Sequence, residues 1–294
     1  MTNGAVTSPE AVKLWFCPND ELAPGITATL ASQWLDDHER ESAEQFLFER
    51  DRRQYLVSHL LLRRVVALES GIPESEAVIW RSARGRPFLR KPPEGLPRGG
   101  RELDFNLSHA GGQNLLGVVR RSRIGVDVER LDRGDQGFDI IVKTFAPEER
   151  EWVDQAGPGR ARDVRVLRLW TLKEAYSKAR GLGLGLPFDA FVFRLGDDRG
   201  VLGFRPPDDD LSRQWRFAEL EPVPGVLAAV AVAVAPDDDE TADDGAVLEL
   251  RHGFPWARPA PRLLTIPRAP AGPHPAPGAF RPARTGDGTL PRMA

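Results

Sequence analysis

The segments IGVDVER, Ile124–Arg130, and LWTLKEAYSKARG, residues 169–181, have the spacings of a strand and a helix with polar groups on one face. In the first segment apolar residues alternate with smaller or acidic ones, which predicts a β-strand. Asp127 and Glu129 are two positions apart, so their carboxylates project from the same face at the end of this strand. Two carboxylates in this arrangement can reach one cation.

The second segment has the spacing of an amphipathic helix. Trp170, Glu174 and Lys178 are four residues apart and share one helical face, with the carboxylate between an aromatic ring and an ammonium group. Gly181 follows the last apolar residues and predicts a left-handed helix end. We therefore expect a helix over residues 162–179 that presents Glu174 to the carboxylates of the strand.

Three convergent carboxylates favour Mg²⁺, because this ion prefers hard oxygen ligands and leaves room for water and phosphate. A softer metal would need histidine and cysteine, and none of the five histidines is paired at ligand spacing. Each feature is ordinary when taken alone. A strand-end Asp-x-Glu is often a solvated turn, and Glu174 with Lys178 is a common helix ion pair of about 0.2–0.5 kcal/mol.

A third motif, FNLSHAGG at residues 105–112, ends a predicted strand with Ser108, His109 and two glycines. Such a turn lets backbone amides and an imidazole approach a phosphate closely. The alternative is that Ser108 and His109 only cap a turn.

The segment GLGLGLP at residues 181–187 is not a dinucleotide-binding loop, because it follows a helix and leads into a strand.

The chain divides into a patterned body and a tail of different composition. Within the body, a helix is predicted over residues 41–71 in addition to the one at 162–179. Strand patterns occupy residues 77–81, 103–107, 115–120, 124–128, 190–195, 215–220 and 226–234. Both helical regions begin with a phenylalanine and an acidic cluster and end in glycine. This similarity favours a duplicated α/β unit with a cleft between its halves.

The predicted boundaries are an N-terminal α/β half at 1–112, a C-terminal α/β half with the metal site at 113–236, and a tail at 237–294. The tail begins with the acidic run DDDETADD and becomes rich in proline and arginine, a composition that predicts disorder. The alternative is that residues 246–250, with Phe254 and Trp256, dock on the body as a short extension.

Composition excludes several classes of protein. The 294 residues are 41% hydrophobic, which is enough for one large domain or two small ones. With 40 basic and 43 acidic residues the net charge is -3, so we expect neither a nucleic-acid nor a membrane partner. The most apolar stretch, residues 226–235, is too short to cross a bilayer. The single cysteine, Cys17, and the absence of a signal-like start predict a cytoplasmic protein, and we expect Cys17 to be an apolar filler.

The ordered motifs together resemble one family, the phosphopantetheinyl transferases of the surfactin-synthetase-activating type. GVDVE followed by W-x-x-K-E-x-x-x-K is the specific part, and the resemblance covers about residues 12–235. The matching segments are GRP at 85–87, FNLSHAGG at 105–112, GVDVE at 125–129, FAPEE at 145–149, WTLKEAYSK at 170–178 and GLGLGLP at 181–187.

The resemblance implies an α+β fold of two similar α/β halves related by pseudo-twofold symmetry, with coenzyme A in the cleft. It implies Mg²⁺ held by Asp127, Glu129 and Glu174 against the pyrophosphate of coenzyme A. The residues around the adenine and the 3′-phosphate would be Arg52 or Arg53, Arg86, Pro87, Ser108 and His109, and those near the pyrophosphate Lys173 and Lys178. Arg86 replaces the lysine more common in the family, and either Arg52 or Arg53 could instead be a solvated helix charge.

The implied reaction moves phosphopantetheine from coenzyme A to a serine of an apo acyl- or peptidyl-carrier protein, with Glu174 as base and Lys178 stabilising the leaving phosphate. A basic rim for an acidic carrier would include Trp152 and the arginines at 160, 162, 165 and 168, unless these are merely solvated. One alternative is a non-catalytic binder of coenzyme A, although every motif carboxylate and lysine is present. The other is a short trimeric carrier-protein synthase, whereas the duplicated body predicts a pseudodimeric monomer.

Overall fold

The computed structural model describes residues 11–90, 103–132, 137–210, 214–234, 246–256, 260–267 and 269–270. The N-terminal half comprises β1 (Val12–Pro18), α1 (Pro24–Trp34), α2 (Asp37–Glu44), α3 (Glu49–Ser70), β2 (Ile79–Arg81), β3 (Pro87–Leu89), β4 (Leu103–Ala110) and β5 (Gln113–Arg120). The C-terminal half comprises β6 (Ile124–Arg130), α4 (Phe138–Lys143), α5 (Pro147–Asp154), α6 (Arg160–Arg180), β7 (Val192–Leu195), β8 (Val201–Arg205), β9 (Trp215–Leu220) and β10 (Val226–Ala233). Two further strands follow, β11 (Ala246–His252) and β12 (Arg262–Ile266).

The two halves repeat one topology. Each runs from a first strand through a long helix and a two-stranded hairpin to two more strands. The sheet orders correspond, β1-β5-β4 in the first half and β6-β10-β9 in the second, with antiparallel pairing throughout. The predicted α+β fold with two similar halves is confirmed. The boundary at residue 112 is misplaced, because β5 pairs with both β1 and β4 and so belongs to the first half.

The two sheets share a central core, and each carries its long helix on the outer side. Strand β10 shows this arrangement, because it is buried on both faces and its successive side chains pack alternately on opposite sides of the sheet. Val226 and Val230 pack in the core between the sheets, whereas Leu227 and Ala229 pack against α6. On the opposite side, α3 packs its apolar face on residues of β1, β4 and β5.

Gly125 lets β6 and α6 approach unusually closely. A Cβ atom at this position would lie 1.9 Å from the carbonyl oxygen of Ala175 and 2.4 Å from the amide nitrogen of Ala179. No side chain fits there without moving the backbone of the helix. The glycine therefore sets the separation between the strand that carries Asp127 and the helix that carries Glu174.

The tail is a structural part of the molecule where it is described. Strand β11 pairs with β1 in parallel, and β12 pairs with β11. Leu248, Leu250 and Ile266 are buried in the core between the sheets. The prediction of disorder after residue 236 is wrong for these strands, because composition hid the apolar-polar alternation of AVLELRH. The alternative of a docked extension is confirmed. Residues 271–294 lie outside the described residues.

The helix predicted over residues 41–71 is interrupted. Helix α2 ends at Glu44 and α3 begins at Glu49, so Phe46 and Leu47, which the predicted helix includes, lie between the two helices and are 41% and 83% exposed. Gly71 and Gly181 end α3 and α6 where predicted, and both are left-handed, as predicted for Gly181. Among the helices that the structure describes, none combines the length and the apolar character needed to cross a bilayer.

Candidate active site

The site begins where β4 of the first half meets β6 of the second. The two strands are joined through side chains, since Asn106 Oδ1 accepts from the amide of Val126 and Asp104 Oδ2 from that of Ile124. Further along, Ser108 Oγ donates to Asp127 Oδ1 at 2.8 Å. The site is therefore built from both halves of the repeat.

Lys178 of α6 completes this contact. Its Nζ donates to Asp127 Oδ1 at 2.5 Å and to Ser108 Oγ at 3.1 Å. The same Nζ lies 4.0 Å from Glu174 Oε2, one turn earlier on the helix. The predicted sharing of one helical face by Glu174 and Lys178 thus brings both to the carboxylate of β6.

Glu174 is an acidic group in an environment that disfavours its charge. Burial raises the pKa of its carboxyl, and the charges of Asp127 and Glu129 raise it further, while Lys178 acts in the opposite direction. Glu129 is fixed beside them because Trp170 Nε1 donates to its Oε1 at 3.1 Å. A carboxylate with a raised pKa is a better proton acceptor than an ordinary surface glutamate.

The donor set is suited to a magnesium ion. Asp127 Oδ2 is buried and has no hydrogen-bond partner, so one oxygen of this carboxylate is left for a ligand. All three predicted ligands are carboxylates, as Mg²⁺ prefers. Over the described ranges, no three Asp, Glu, His or Cys side chains lie together closely enough to hold a metal ion as they stand. The ammonium group of Lys178 supplies the positive charge next to Asp127.

Two cavities adjoin the cluster and share His109. The basic cavity, of about 300 Å³, is lined by Arg81, Arg84, His109, Glu174 and Lys178, together with Arg86 and Pro87. The large cavity, of about 750 Å³, is lined by His109 together with Arg50, Arg53, Tyr55 and Arg130. Burial and the nearby charge of Lys178 lower the pKa of His109, which favours its neutral form. The site therefore offers both cationic and neutral hydrogen-bonding groups.

Two of the predicted binding residues serve the scaffold instead. Lys173 is fully buried, pairs with Glu149 Oε2 at 2.8 Å and donates to the carbonyl oxygens of Phe188 and Phe191. It reaches neither cavity, and its predicted place near the pyrophosphate is wrong because adjacent helix residues point about 100° apart. Burial lowers its pKa to about 8 although Glu149 opposes this. Arg168, expected on a basic rim, is likewise buried against Glu219 at 2.8 Å.

Arg86 has a mainly structural set of partners. Its Nη2 donates to Asp104 Oδ2 at 2.6 Å and to the carbonyl oxygen of Ile124 at 2.9 Å, and its Nη1 donates to the carbonyl oxygen of Lys178. These bonds tie the β2–β3 hairpin to β4, β6 and α6. The guanidinium lines the basic cavity, but most of its donors are engaged in this way.

The arginines of α3 that line the large cavity differ in part from those expected. Arg53 lines the large cavity but donates to the carbonyl oxygens of Asn19 and Leu22, and Arg52 is exposed outside the lining of both cavities. Arg50, which the sequence reasoning missed, lines the large cavity at the start of α3. Arg81 and Arg84, which line the basic cavity, were missed as well, although both precede the GRP motif in RSARGRP, residues 81–87, and indicate a cationic hairpin.

These features define the class of protein, a duplicated α+β fold with a cluster of carboxylates and a lysine between its halves. Residues 123–235 match the 4′-phosphopantetheinyl transferase superfamily, and residues 26–117 match the N-terminal region of 4′-phosphopantetheinyl transferases. The two matches meet near the boundary between β5 and β6. The chain belongs to the 4′-phosphopantetheinyl transferase superfamily, a class of transferase enzymes.

Named relatives are similar to this chain over more than half of its length. A phosphopantetheinyl transferase of Thraustochytrium is 30% identical over 204 residues, covering 66% of this chain and 69% of the relative. The human L-aminoadipate-semialdehyde dehydrogenase-phosphopantetheinyl transferase is 28% identical over 226 residues, 73% of this chain and 72% of the relative. A 4′-phosphopantetheinyl transferase of Bacillus subtilis is 29% identical over 169 residues, 58% of this chain and 70% of the relative.

Proposed function

We propose that this enzyme transfers the 4′-phosphopantetheine group of coenzyme A to a serine of an apo acyl- or peptidyl-carrier protein, in a magnesium-dependent reaction. The observation that carries this proposal is the cluster of Asp127, Ser108 and Lys178, which lies beside Glu174 and opens on the basic cavity. Family membership supplies the reaction class, and the cluster supplies groups suited to it.

Asp127, Glu129 and Glu174 would hold the magnesium ion. The unpartnered Asp127 Oδ2 supports this assignment, and Glu129 lies near enough to Glu174 for its charge to raise the pKa of Glu174. When bound, the ion supplies positive charge to the pyrophosphate of coenzyme A. Lys178 supplies a second positive charge from the protein at the same place.

The transfer forms a bond between the serine oxygen of the carrier and the β-phosphorus of coenzyme A. The bond from that phosphorus to the bridging oxygen breaks, and 3′,5′-adenosine bisphosphate leaves. Glu174 accepts the proton of the serine hydroxyl, directly or through water. Lys178 stabilises the negative charge on the departing phosphate, and Ser108 holds Lys178 in place.

The arginines around the cavities are the groups for the remaining anionic part of coenzyme A. Arg81 and Arg84 line the basic cavity, where the neutral His109 offers an additional hydrogen bond. Arg50 at the large cavity is a further candidate for the predicted contact that was assigned to Arg52 or Arg53. Guanidinium groups suit this task because their planar donors match phosphate oxygens.

Further properties follow from the resemblance to the surfactin-synthetase-activating type. We propose a monomer, because the chain already contains both halves of the repeat. The buried, free Cys17, whose pKa burial raises to about 12, is inert and agrees with a cytoplasmic location. Light scattering coupled to gel filtration would test the first statement, and a trimer would contradict it.

The decisive experiment measures the intact mass of apo carrier proteins from several pathways after incubation with the enzyme, coenzyme A and Mg²⁺. We expect a gain of one phosphopantetheine that is lost when the carrier serine is replaced by alanine. Glu174→Gln and Asp127→Asn should abolish most of the gain, whereas Asp132→Asn, which removes an exposed carboxylate on the same strand exit, should not. Coenzyme A binding without a mass gain on any carrier would favour the non-catalytic binder.

A further inference from the structure

His59 of α3 forms a chain of contacts that ends at the basic cavity. Its Nδ1 lies 2.9 Å from Glu39 Oε1, and its Nε2 lies 3.2 Å from Arg81 Nη2. The imidazole is 5% exposed and stacks on the ring of Tyr55, with centroids 4.0 Å apart. His59 is therefore held on three sides by groups of the first half.

The partners determine which nitrogen of His59 carries the proton. Arg81 is a guanidinium and only donates, so Nε2 of His59 must accept. Nδ1 then carries the hydrogen and donates to the carboxylate of Glu39. Burial lowers the pKa of His59, which favours this neutral form although Glu39 opposes the shift. A doubly protonated ring would turn an N–H toward Arg81 and break the contact.

Glu39 is itself immobilised. Its Oε2 accepts from Arg63 Nε at 2.8 Å, and its side chain caps the start of α2 through the amide of Asp36. Burial acts to raise the pKa of Glu39, but the hydrogen bonds from His59 and Arg63 and the charge of Arg63 outweigh it and lower the pKa to about 2. The carboxylate is therefore ionised and fixed, and it orients the imidazole.

Arg81 by contrast lies on the small β2–β3 hairpin and has an exposed side chain. Apart from His59, its Nη1 donates to the carbonyl oxygen of Gly85 at 3.1 Å. An arginine without such bonds would lose considerable side-chain freedom on binding an anion. The contact with His59 removes part of that freedom before the ligand arrives.

We propose that His59 is a positioning residue, which holds the guanidinium of Arg81 in the basic cavity to receive the 3′-phosphate of coenzyme A. This inference rests on the proposed function. Coenzyme A carries a pyrophosphate and one further phosphate, and the proposed site assigns the pyrophosphate to the carboxylates and Lys178. The 3′-phosphate is thus the anion left for Arg81, and His59 acts on it only through Arg81.

The test compares the binding of coenzyme A and of 3′-dephospho-coenzyme A by isothermal titration calorimetry. We expect His59→Leu to weaken coenzyme A binding about tenfold, the size of one hydrogen bond to a charged group, and to leave 3′-dephospho-coenzyme A unaffected. In steady-state transfer the variant should raise KM for coenzyme A with kcat unchanged. The control, His38→Gln, alters an exposed histidine of α2 and should change neither quantity.

Two further variants separate positioning from a structural role. His59→Gln keeps an amide acceptor toward Arg81 and should restore part of the affinity that leucine loses. In an Arg81→Ala background, where the guanidinium is absent, either His59 substitution should have no additional effect. If His59→Leu does not fold, His59→Gln in the wild-type and Arg81→Ala backgrounds gives the comparison, with a smaller loss of coenzyme A affinity expected in the wild-type background.

Three results would overturn the inference: unchanged coenzyme A binding in His59→Leu, equal weakening of both coenzymes, or additive effects with Arg81→Ala. Failure of the proposed function would appear differently. In that case the wild-type enzyme would modify no carrier protein, while the binding comparison between the two coenzymes could still be read.

Discussion

Replacing Leu248 with alanine tests whether the C-terminal strands are part of the folded core. Leu248 is 0% exposed, pairs with Val12 of β1 and packs in the core between the two sheets. Truncating a fully buried leucine typically costs about 2–5 kcal/mol, because both the transfer energy and the packing of the cavity walls are lost. We expect a loss of about 3 kcal/mol, since β-sheet neighbours on both sides restrict any collapse of the cavity.

The matched control is Val247→Ala on the same strand. Val247 is 37% exposed and points to the opposite face, so its truncation should change the free energy of unfolding by less than about 0.5 kcal/mol. Urea unfolding followed by circular dichroism measures both variants. Thermal unfolding should show a drop of roughly 6–12 °C for Leu248→Ala, on the scale of about 2–4 °C per kcal/mol. Equal, small losses in both variants would refute the placement of β11 in the core.

Three other perturbations probe the scaffold of the site. Gly125→Ala should prevent soluble folding or strongly lower the melting temperature, because its Cβ would overlap the backbone of α6, whereas Gly185→Ala, with open space, should be tolerated in the same expression and melting assays. Lys173→Met should cost roughly 3–5 kcal/mol in urea unfolding, since it leaves Glu149 buried and unpaired, yet leave coenzyme A affinity of the folded protein unchanged. The pKa of Glu39 is about 2 in the folded protein and 4.5 in the unfolded chain. Its ionised carboxylate therefore stabilises the fold fully above pH 4.5, and this contribution is lost as the pH falls toward 2. Glu39→Gln should flatten this acid-side fall in unfolding free energy, and an unchanged pH profile would contradict the assignment.

The motifs of the second half were readable from sequence because their chemistry follows local periodicity. A spacing of two along a strand places Asp127 and Glu129 on one face, and a spacing of four along a helix aligns Trp170, Glu174 and Lys178. The structure brings these faces together, because Trp170 donates a hydrogen bond to Glu129 and Lys178 donates one to Asp127. The helix ends at Gly71 and Gly181 were predictable for the same reason, because a glycine at the end of a helix is recognised from neighbouring residues alone.

The same local reading failed where partners are distant in sequence. Lys173 belongs to the same motif as Glu174, but its side chain is buried in the core. There it pairs with Glu149 and donates to the carbonyl oxygens of two later residues. Arg53 is engaged by two carbonyl groups that lie before α1. The composition of the tail suggested disorder, because the edge of β1 that β11 pairs with exists only in the folded molecule.

Periodicity within single elements was enough to predict the duplicated α+β class, the acidic face of β6 and the face of α6 that carries Glu174 and Lys178. Which charged side chains line the cavities and which hold the scaffold together became clear from the three-dimensional packing. That choice depends on desolvation and on hydrogen-bond partners supplied from elsewhere in the chain, as the contrast between buried Lys173 and cavity-lining Lys178 shows. His59 and Arg81 illustrate the same point, because they are 22 positions apart and meet only when α3 packs beside the β2–β3 hairpin.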